Sequence, residues 1–431
     1  MKEENRYADV TGNSNFGNLL SGSCSYDDKK DAAILALPCM GILIAVVAGV
    51  PFISSDAETQ SITSYVIAGG ASRLASTIIV TVFGAIFAKV IQKEGISDAI
   101  IRKAAELAGD KPVMIALALT AATALIFTAM SGAGPVIMVA QIAIPLLLSA
   151  GIEPIVAASL VLFGLNIGLL FNVSQYQIYV DTIGMDMEVI KTSSIVMGLI
   201  CAVVTVAYIL INVNKKTVRS TWAMNAGSSA KKVNPVAMLM PLLPIVLVFF
   251  FKWNAETSLL AAIIVTALIT KPSSSIQVLS SSMVEGIKDV AGVIGLMIGI
   301  GILLNGVAAQ ATSALMQPII SVILPSNPIM YIVIFTVLSP LALYRGPLNM
   351  YGLGSGLANI FLTAGKLSAP AVGMALRSTS VVQCVSDPTN TQNVIVADYA
   401  KVDVNDILKS TLPYTMVMAL GILIYAAVAL F

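Results

Sequence analysis

Apolar residues run along this chain in blocks of bilayer length, and the polar interruptions between them recur in the same order in its two halves. Residues 33–52, 193–213 and 412–431 each reach the ~20 apolar positions a helix needs to cross hydrocarbon. Residues 54–64 form a short acidic loop, and 65–90 a second long block. In the next stretch, 91–111, Ile96, Ile100, Ile101, Ala104 and Leu107 recur at helical spacing against Lys93, Asp98, Arg102, Lys103 and Glu106. That pattern predicts an amphipathic helix lying in the membrane interface.

Residues 112–150 are apolar but broken by Ser131-Gly132-Ala133-Gly134-Pro135, and neither limb is comfortably a full span. A re-entrant helical hairpin with its tip at 131–135 is expected; the alternative is a span followed by a turn. Residues 154–171 then run into the polar break Asn172-Val173-Ser174-Gln175-Tyr176-Gln177, and 189–213 spans. Beyond a basic loop carrying Lys215, Lys216, Arg219, Lys231 and Lys232, the plan repeats. Spans are expected at 235–251, 257–269 and 290–307, and 308–324 takes the interfacial position without its charge. A second hairpin covers 327–364 with its tip at Tyr344-Arg345-Gly346-Pro347. Residues 369–383 lead to a second break at 386–393, and 407–431 is a final span. The two Gly-Pro pairs and the two break serines share one offset, 212 (346 − 134 and 386 − 174).

The expected architecture is therefore all-α and polytopic, in two inverted repeats that each hold a re-entrant hairpin and a broken helix. Residues 1–32 form a polar N-terminal segment, 33–213 the first repeat, 214–234 a basic cytoplasmic linker and 235–431 the second repeat. The positive-inside rule places the linker and the 91–111 arm in the cytoplasm. Nine spans and two hairpins then put the N-terminus of this cell-membrane protein inside and its C-terminus outside. Lys191 and Lys409 open the last helix of each half.

Composition sharpens this. The chain is 57% hydrophobic and 11% charged, with mean hydropathy +0.90, which makes the lipid bilayer its solvent. A net charge of +1 gives no argument for nucleic acid. Histidine is absent, so proton coupling must use carboxylates. The four cysteines lack metal-ligand spacing, the N-terminus does not read as a signal peptide, and no phosphate-binding loop points to ATP.

A helix broken at mid-membrane frees N–H donors at one end and C=O acceptors at the other, which suit an anion and a cation. Three charges lie at bilayer depth, where each costs at least ~2.5 kcal/mol unless paired or wetted. They are Arg345, Arg377 and Asp387; at the offset of 212 their counterparts are Ala133, Leu165 and Gln175. Two cations against one carboxylate favour an anionic solute. Arg345 is the expected carboxylate clamp, with Ser131, Gly132, Gly134, Gly346, Asn172, Ser174, Gln175 and Thr389 completing the substrate site. Asp387, Ser386, Asn390 and Asn393 offer oxygens to a coupling ion, and Arg377 is a charge partner. Open alternatives are that Arg377 merely pairs with Asp387, that Arg345 snorkels at an outer mouth, and that the amides only glue helices. Asp181 and Asp398 follow the breaks at similar distances and read as caps of the next elements or as lining an exit, and Lys89 and Lys252 read as snorkelling anchors.

With hairpin, broken helix and helix placed twice, residues 33–431 resemble the ion transporter superfamily. That grouping holds citrate–proton symporters, gluconate permeases, C4-dicarboxylate carriers and divalent anion–sodium symporters. The resemblance rests on this layout and on Phe83-Gly84-Ala85-Ile86-Phe87-Ala88-Lys89 with Gly95, Ser131-Gly132-Ala133-Gly134-Pro135, and Ser386-Asp387-Pro388-Thr389-Asn390. It implies a homodimer, each protomer a scaffold plus a transport domain that slides elevator-fashion, coupled to H⁺ or Na⁺. Sodium/dicarboxylate carriers bear Ser-Asn-Thr at the hairpin tips; these tips differ, so neither sodium coupling nor dicarboxylate specificity is carried over. The resulting expectation is a secondary active transporter of a small organic anion, a carboxylate, with no resident cofactor beyond the coupling ion. A Na⁺/H⁺ antiporter is the alternative, and an enzyme is not expected because no nucleophile stands beside a base.

Overall fold

The computed structural model describes residues 26–54, 59–213, 233–270, 272–325 and 327–431, and every regular element among them is helical. The polar N-terminal segment through residue 25 and linker residues 214–232 lie outside the described residues, as does most of the charge on which the expected orientation rests.

The first half contains α1 (Tyr26–Val47), α2 (Ile62–Lys93), α3 (Ile96–Ala108), the limbs α4 (Pro112–Phe127) and α5 (Ala133–Ser149), α6 (Pro154–Phe171), the short α7 (Gln177–Ile183) and α8 (Met187–Asn212). The second contains α9 (Ala237–Phe249), α10 (Ala255–Thr270), α11 (Ser275–Ala308), α12 (Gln310–Ile323), α13 (Pro328–Leu338), α14 (Leu353–Thr363), α15 (Ala369–Ser386), the short α16 (Thr391–Ala400) and α17 (Val404–Ala429). Five of these, α2, α6, α8, α11 and α17, are long and apolar enough to cross a membrane. The nine expected spans are thus not all spans by length.

Local chemistry explains the helix starts. Pro112 and Pro154 occupy first positions, where a missing N–H costs nothing. Asp186 and Asp403 cap α8 and α17 in the same way, accepting from the N–H of Glu188 and Asn405 at 2.7 Å. One turn on, Lys191 pairs with Glu188 at 3.1 Å and Lys409 with Asp406 at 2.9 Å.

Two seams organise the packing. Helix α11 lies along α1 and α2 with backbones nearly touching. A Cβ on Gly301 would sit 2.1 Å from the Gly70 carbonyl, and one on Gly306 2.2 Å from that of Gly41. At the same seam Arg73 donates to Asn305 at 2.7 Å, whose amide donates to the Tyr65 carbonyl at 2.7 Å. In the second seam the halves interleave: α7 packs on α14 and α15, and α16 on α5 and α6. Each short helix beyond a break therefore rests on the opposite half.

Two expectations shift. The span expected at 290–307 is the C-terminal part of α11, which is 34 residues long, or ~50 Å. Its polar beginning stays helical because Glu285 and Asp289 meet Lys93 and Lys89 of α2, at 2.7 and 2.8 Å. Lys89 is thus an ion-pair partner rather than a lone snorkelling anchor. The first hairpin turns at 128–132, slightly before the expected tip, so Gly134 and Pro135 stand in the first turn of α5. Gly132 makes the turn with φ +96°, a conformation that side chains disfavour.

Candidate functional site

Asn172 and Asp387 end the two broken helices, and each binds the tip of its own hairpin. Asn172 donates its amide to the carbonyls of Phe127 and Met130 at 3.0 and 3.1 Å, and its oxygen accepts from the Ser174 N–H and hydroxyl. Asp387 accepts at one oxygen, Oδ1, from the Tyr344 N–H at 3.1 Å and from the Thr389 N–H and hydroxyl at 2.9 and 2.7 Å. Its second oxygen, Oδ2, is buried and has no hydrogen-bond partner among the described residues. The whole residue is 0% exposed.

The carbonyls at the end of α15 are not free, contrary to what a bare break suggests. Asn390, Gln392 and Asn393 donate side-chain amides to the carbonyls of Gln383, Cys384 and Val385 at 3.4, 2.9 and 2.9 Å. These amides cap the helix end from the start of α16. The oxygen of Asn393, like Asp387 Oδ2, is buried without a partner. Of these two residues Asp387 lines the cavity and Asn393 does not, while the backbone carbonyls of this break are already taken.

Both breaks face one cavity of about 330 Å³. Hairpin residues Ser131, Gly132, Asn349 and Tyr351 line it, with Gln175, Tyr176 and Tyr179 from the first break region and Asp387, Thr389 and Asn390 from the second. The Tyr351 hydroxyl donates to Gln175 and so ties the second hairpin to the first break. Arg377 lines the same cavity, 4% exposed, and no carboxylate lies within ion-pair distance among the described residues. Its guanidinium donates to Ser193 and Ser194 at 2.5 and 2.6 Å and to the Ile190 carbonyl at 3.2 Å, all on α8. The Tyr179 ring lies 5.6 Å from its centre, a cation–π distance.

The direct pairing of Arg377 with Asp387, left open by the sequence, is thus absent. Ten residues along one helix is a ~15 Å rise, too far for the two groups to meet. Ser386 is also not a cavity residue: its hydroxyl bonds Thr411 and Thr415 of α17 at 2.9 and 3.0 Å and holds two helices together. Asn172 and Ser174 are buried in the hairpin tie, and Gly134 and Gly346 are outside the lining. Gly346 is needed for close approach, since a Cβ there would lie 2.0 Å from the Leu341 carbonyl. The Arg345 side chain lies outside the described residues; its backbone closes the short 3-10 turn after α13. Asp181 of α7 accepts from the Thr77 N–H and hydroxyl at 3.0 and 2.7 Å and so caps the second part of α2, and Asp398 pairs with Lys401 at 3.0 Å.

Sequence reading missed Tyr179, Tyr351, Asn349, Ser380, Gln383 and Asp289, which line the cavity from elements read as plain helix or turn. Only the polarity of Ser380 and Gln383 within an apolar run offered a signal. The lining charges are Arg377, Asp289 and Asp387, so the surplus of positive charge expected from Arg345 is not part of the described cavity.

No family model matches this chain, and no curated protein matches it in sequence. Its fold is shared with solved membrane transporters. The YdaH transporter of Alcanivorax borkumensis is 14% identical, with a TM-score of 0.65 over 92% of this chain and 98% of that one. MtrF of Neisseria gonorrhoeae, whose structure illuminates a class of antimetabolite efflux pumps, is 12% identical, with a TM-score of 0.54 over 92% and 95% of the two chains. At such identity the likeness is one of fold, and that fold is a polytopic membrane transporter's.

Proposed function

We propose that this chain is a secondary active transporter of a small organic anion, a carboxylate, driven by H⁺ or Na⁺, and a member of the ion transporter superfamily. One observation carries the reading: an uncompensated guanidinium, Arg377, and a half-satisfied carboxylate, Asp387, share a cavity built by two helix breaks and two hairpins. Arg377 replaces Arg345 as the group assigned to the cargo carboxylate. Asp387 Oδ2 and Asn393 Oδ1 are assigned to the coupling ion. Gln175, Thr389, Asn390 and Ser131 supply hydrogen bonds around the cargo.

The charges give the coupling a physical basis. Asp289 is already neutralised by Lys89 at 2.8 Å, which leaves Arg377 against Asp387. Without a coupling cation the cavity has no net attraction for an anion. Once a cation sits at Asp387, Arg377 is uncompensated and a carboxylate is favoured. The ion and the anion then bind with positive cooperativity, and each raises the affinity of the other by the same factor.

The remaining features of the reading are two inverted repeats, a cell-membrane location, a cytoplasmic N-terminus and an external C-terminus, and a homodimer. In the elevator, α1, α2 and α9–α12 form the scaffold, while the hairpins, broken helices, α8 and α17 form the transport domain. The interleaving of α7 and α16 supports moving both breaks as one body.

The test is thermal stability of the purified protein against a panel of carboxylates, at fixed pH, with Na⁺ replaced by K⁺ and then with pH varied. A concentration-dependent rise that requires both a carboxylate and one coupling ion is expected. Stabilisation by cations alone, with no carboxylate effect at any pH, would instead favour cation exchange at Asp387.

A further inference from the structure

Helix α5 begins without a cap of its own. Its N-cap, Gly132, has no side chain, and its first turn, Ala133-Gly134-Pro135, contains no acidic residue. Its free N–H groups form the positive end of a 17-residue helix. A carboxylate from elsewhere stands there: Asp289 of α11, whose Oδ2 would be 3.3 Å from a Cβ on Gly134. Lys89 of α2 holds that carboxylate at 2.8 Å and would be 3.7 Å from the same Cβ. Asp289, Ser131, Gly132 and Ala133 line one cavity.

We propose that the Lys89–Asp289 pair is a latch. The scaffold helices α2 and α11 present a fixed carboxylate to the first hairpin tip, which sets the tip's resting position and hence access to the cavity. This inference rests on the transport reading for its purpose, though not for its measurement. Lys89 orients the carboxylate, and Asp289 meets the dipole of α5. Gly134 faces this pair, and a methyl there would press on the Asp289 carboxylate at 3.3 Å and displace it by a few tenths of an ångström. The molecule carries its own control in Lys93–Glu285, at 2.7 Å on the same two helices one turn away. Neither of those residues lines the cavity.

The test reads Cys384, a native cavity residue, in the full-length protein in proteoliposomes with the other cysteines replaced by Ala. The rate of maleimide labelling reports access and needs no cargo. Asp289→Asn and Gly134→Ala should both change that rate by about fivefold, the scale on which a half-exposed ion pair acts. Gly134→Ala alters no charge, so agreement between the two excludes a direct electrostatic effect on the thiol. Lys93→Met should leave the rate unchanged. The exchange Lys89→Asp with Asp289→Lys should recover thermal stability but not the labelling rate, because the carboxylate no longer faces α5. Parental labelling in Asp289→Asn and Gly134→Ala, or full recovery by the exchange, overturns the latch. Carboxylate-dependent uptake by the parental protein, measured separately, tests the transport reading: its failure overturns that reading and leaves the labelling result on the latch standing.

Discussion

Asn172 and Asp387 close their helices with the same backbone geometry, φ −73° and ψ 114° against φ −75° and ψ 113°. They also accept from the same two groups two positions on, an N–H and a hydroxyl, from Ser174 and Thr389. The structural offset between the breaks is therefore 215 (387 − 172), not the 212 that the sequence suggested. Asp387 thus corresponds to Asn172 rather than to Gln175. The exchange of an amide for a carboxylate follows the tips. Two carbonyls, of Phe127 and Met130, need donors in the first, whereas the Tyr344 N–H needs an acceptor in the second.

Asn172→Asp should consequently be worse than Asn172→Ala. The alanine leaves two buried carbonyls unsatisfied, at ~1–3 kcal/mol each. The aspartate adds a charge facing those carbonyls, so the order of melting temperatures should be native, alanine, aspartate. An aspartate as stable as alanine would contradict the tie.

Asp387→Asn should fold, because an amide oxygen can accept the same three hydrogen bonds. The loss should be about 1–2 kcal/mol, the difference between charged and neutral bonds. What should disappear is any stabilisation by the coupling ion. Thermal shifts measured with Na⁺ against K⁺, and across pH, would show a retained ion effect if the ion binds elsewhere.

Arg377→Met keeps the apolar length of the side chain within α15 while removing its charge. A native protein at a hundredfold excess of carboxylate over its Kd should gain ~2.7 kcal/mol. The variant should gain nothing, and equal stabilisation of the two proteins would remove Arg377 from the cargo site.

Gly301→Ala places a methyl 2.1 Å from the Gly70 carbonyl, so α11 must move off the α2 backbone. Overpacking of this kind costs ~1–3 kcal/mol. A melting temperature unchanged in detergent would mean that this seam is looser than its distances indicate.

Much of this protein is legible in its sequence because the causes are local. Bilayer-length apolar runs must be helices, since lipid offers no partner to an unpaired backbone. Prolines and capping residues such as Pro154, Asp186 and Asp403 fix where those helices start. Polar residues clustered at 172–177 and 386–393 mark the breaks, and Gly132 with φ +96° lies where a turn was expected.

Which groups meet is a different matter, because it depends on packing between segments hundreds of residues apart. Arg377 has no carboxylate partner among the described residues because it points to Ser193 and Ser194 of α8, and Asp387 leans on Tyr344 instead. Asp289 drew no notice in the sequence; only the approach of α5 to α11 places it at the hairpin tip. The register of 215 is likewise set by hydrogen bonds at the helix ends, whereas matching letters along the chain favoured the nearby serines. Periodicity and breakers determined the helices; burial and partner geometry decided the site.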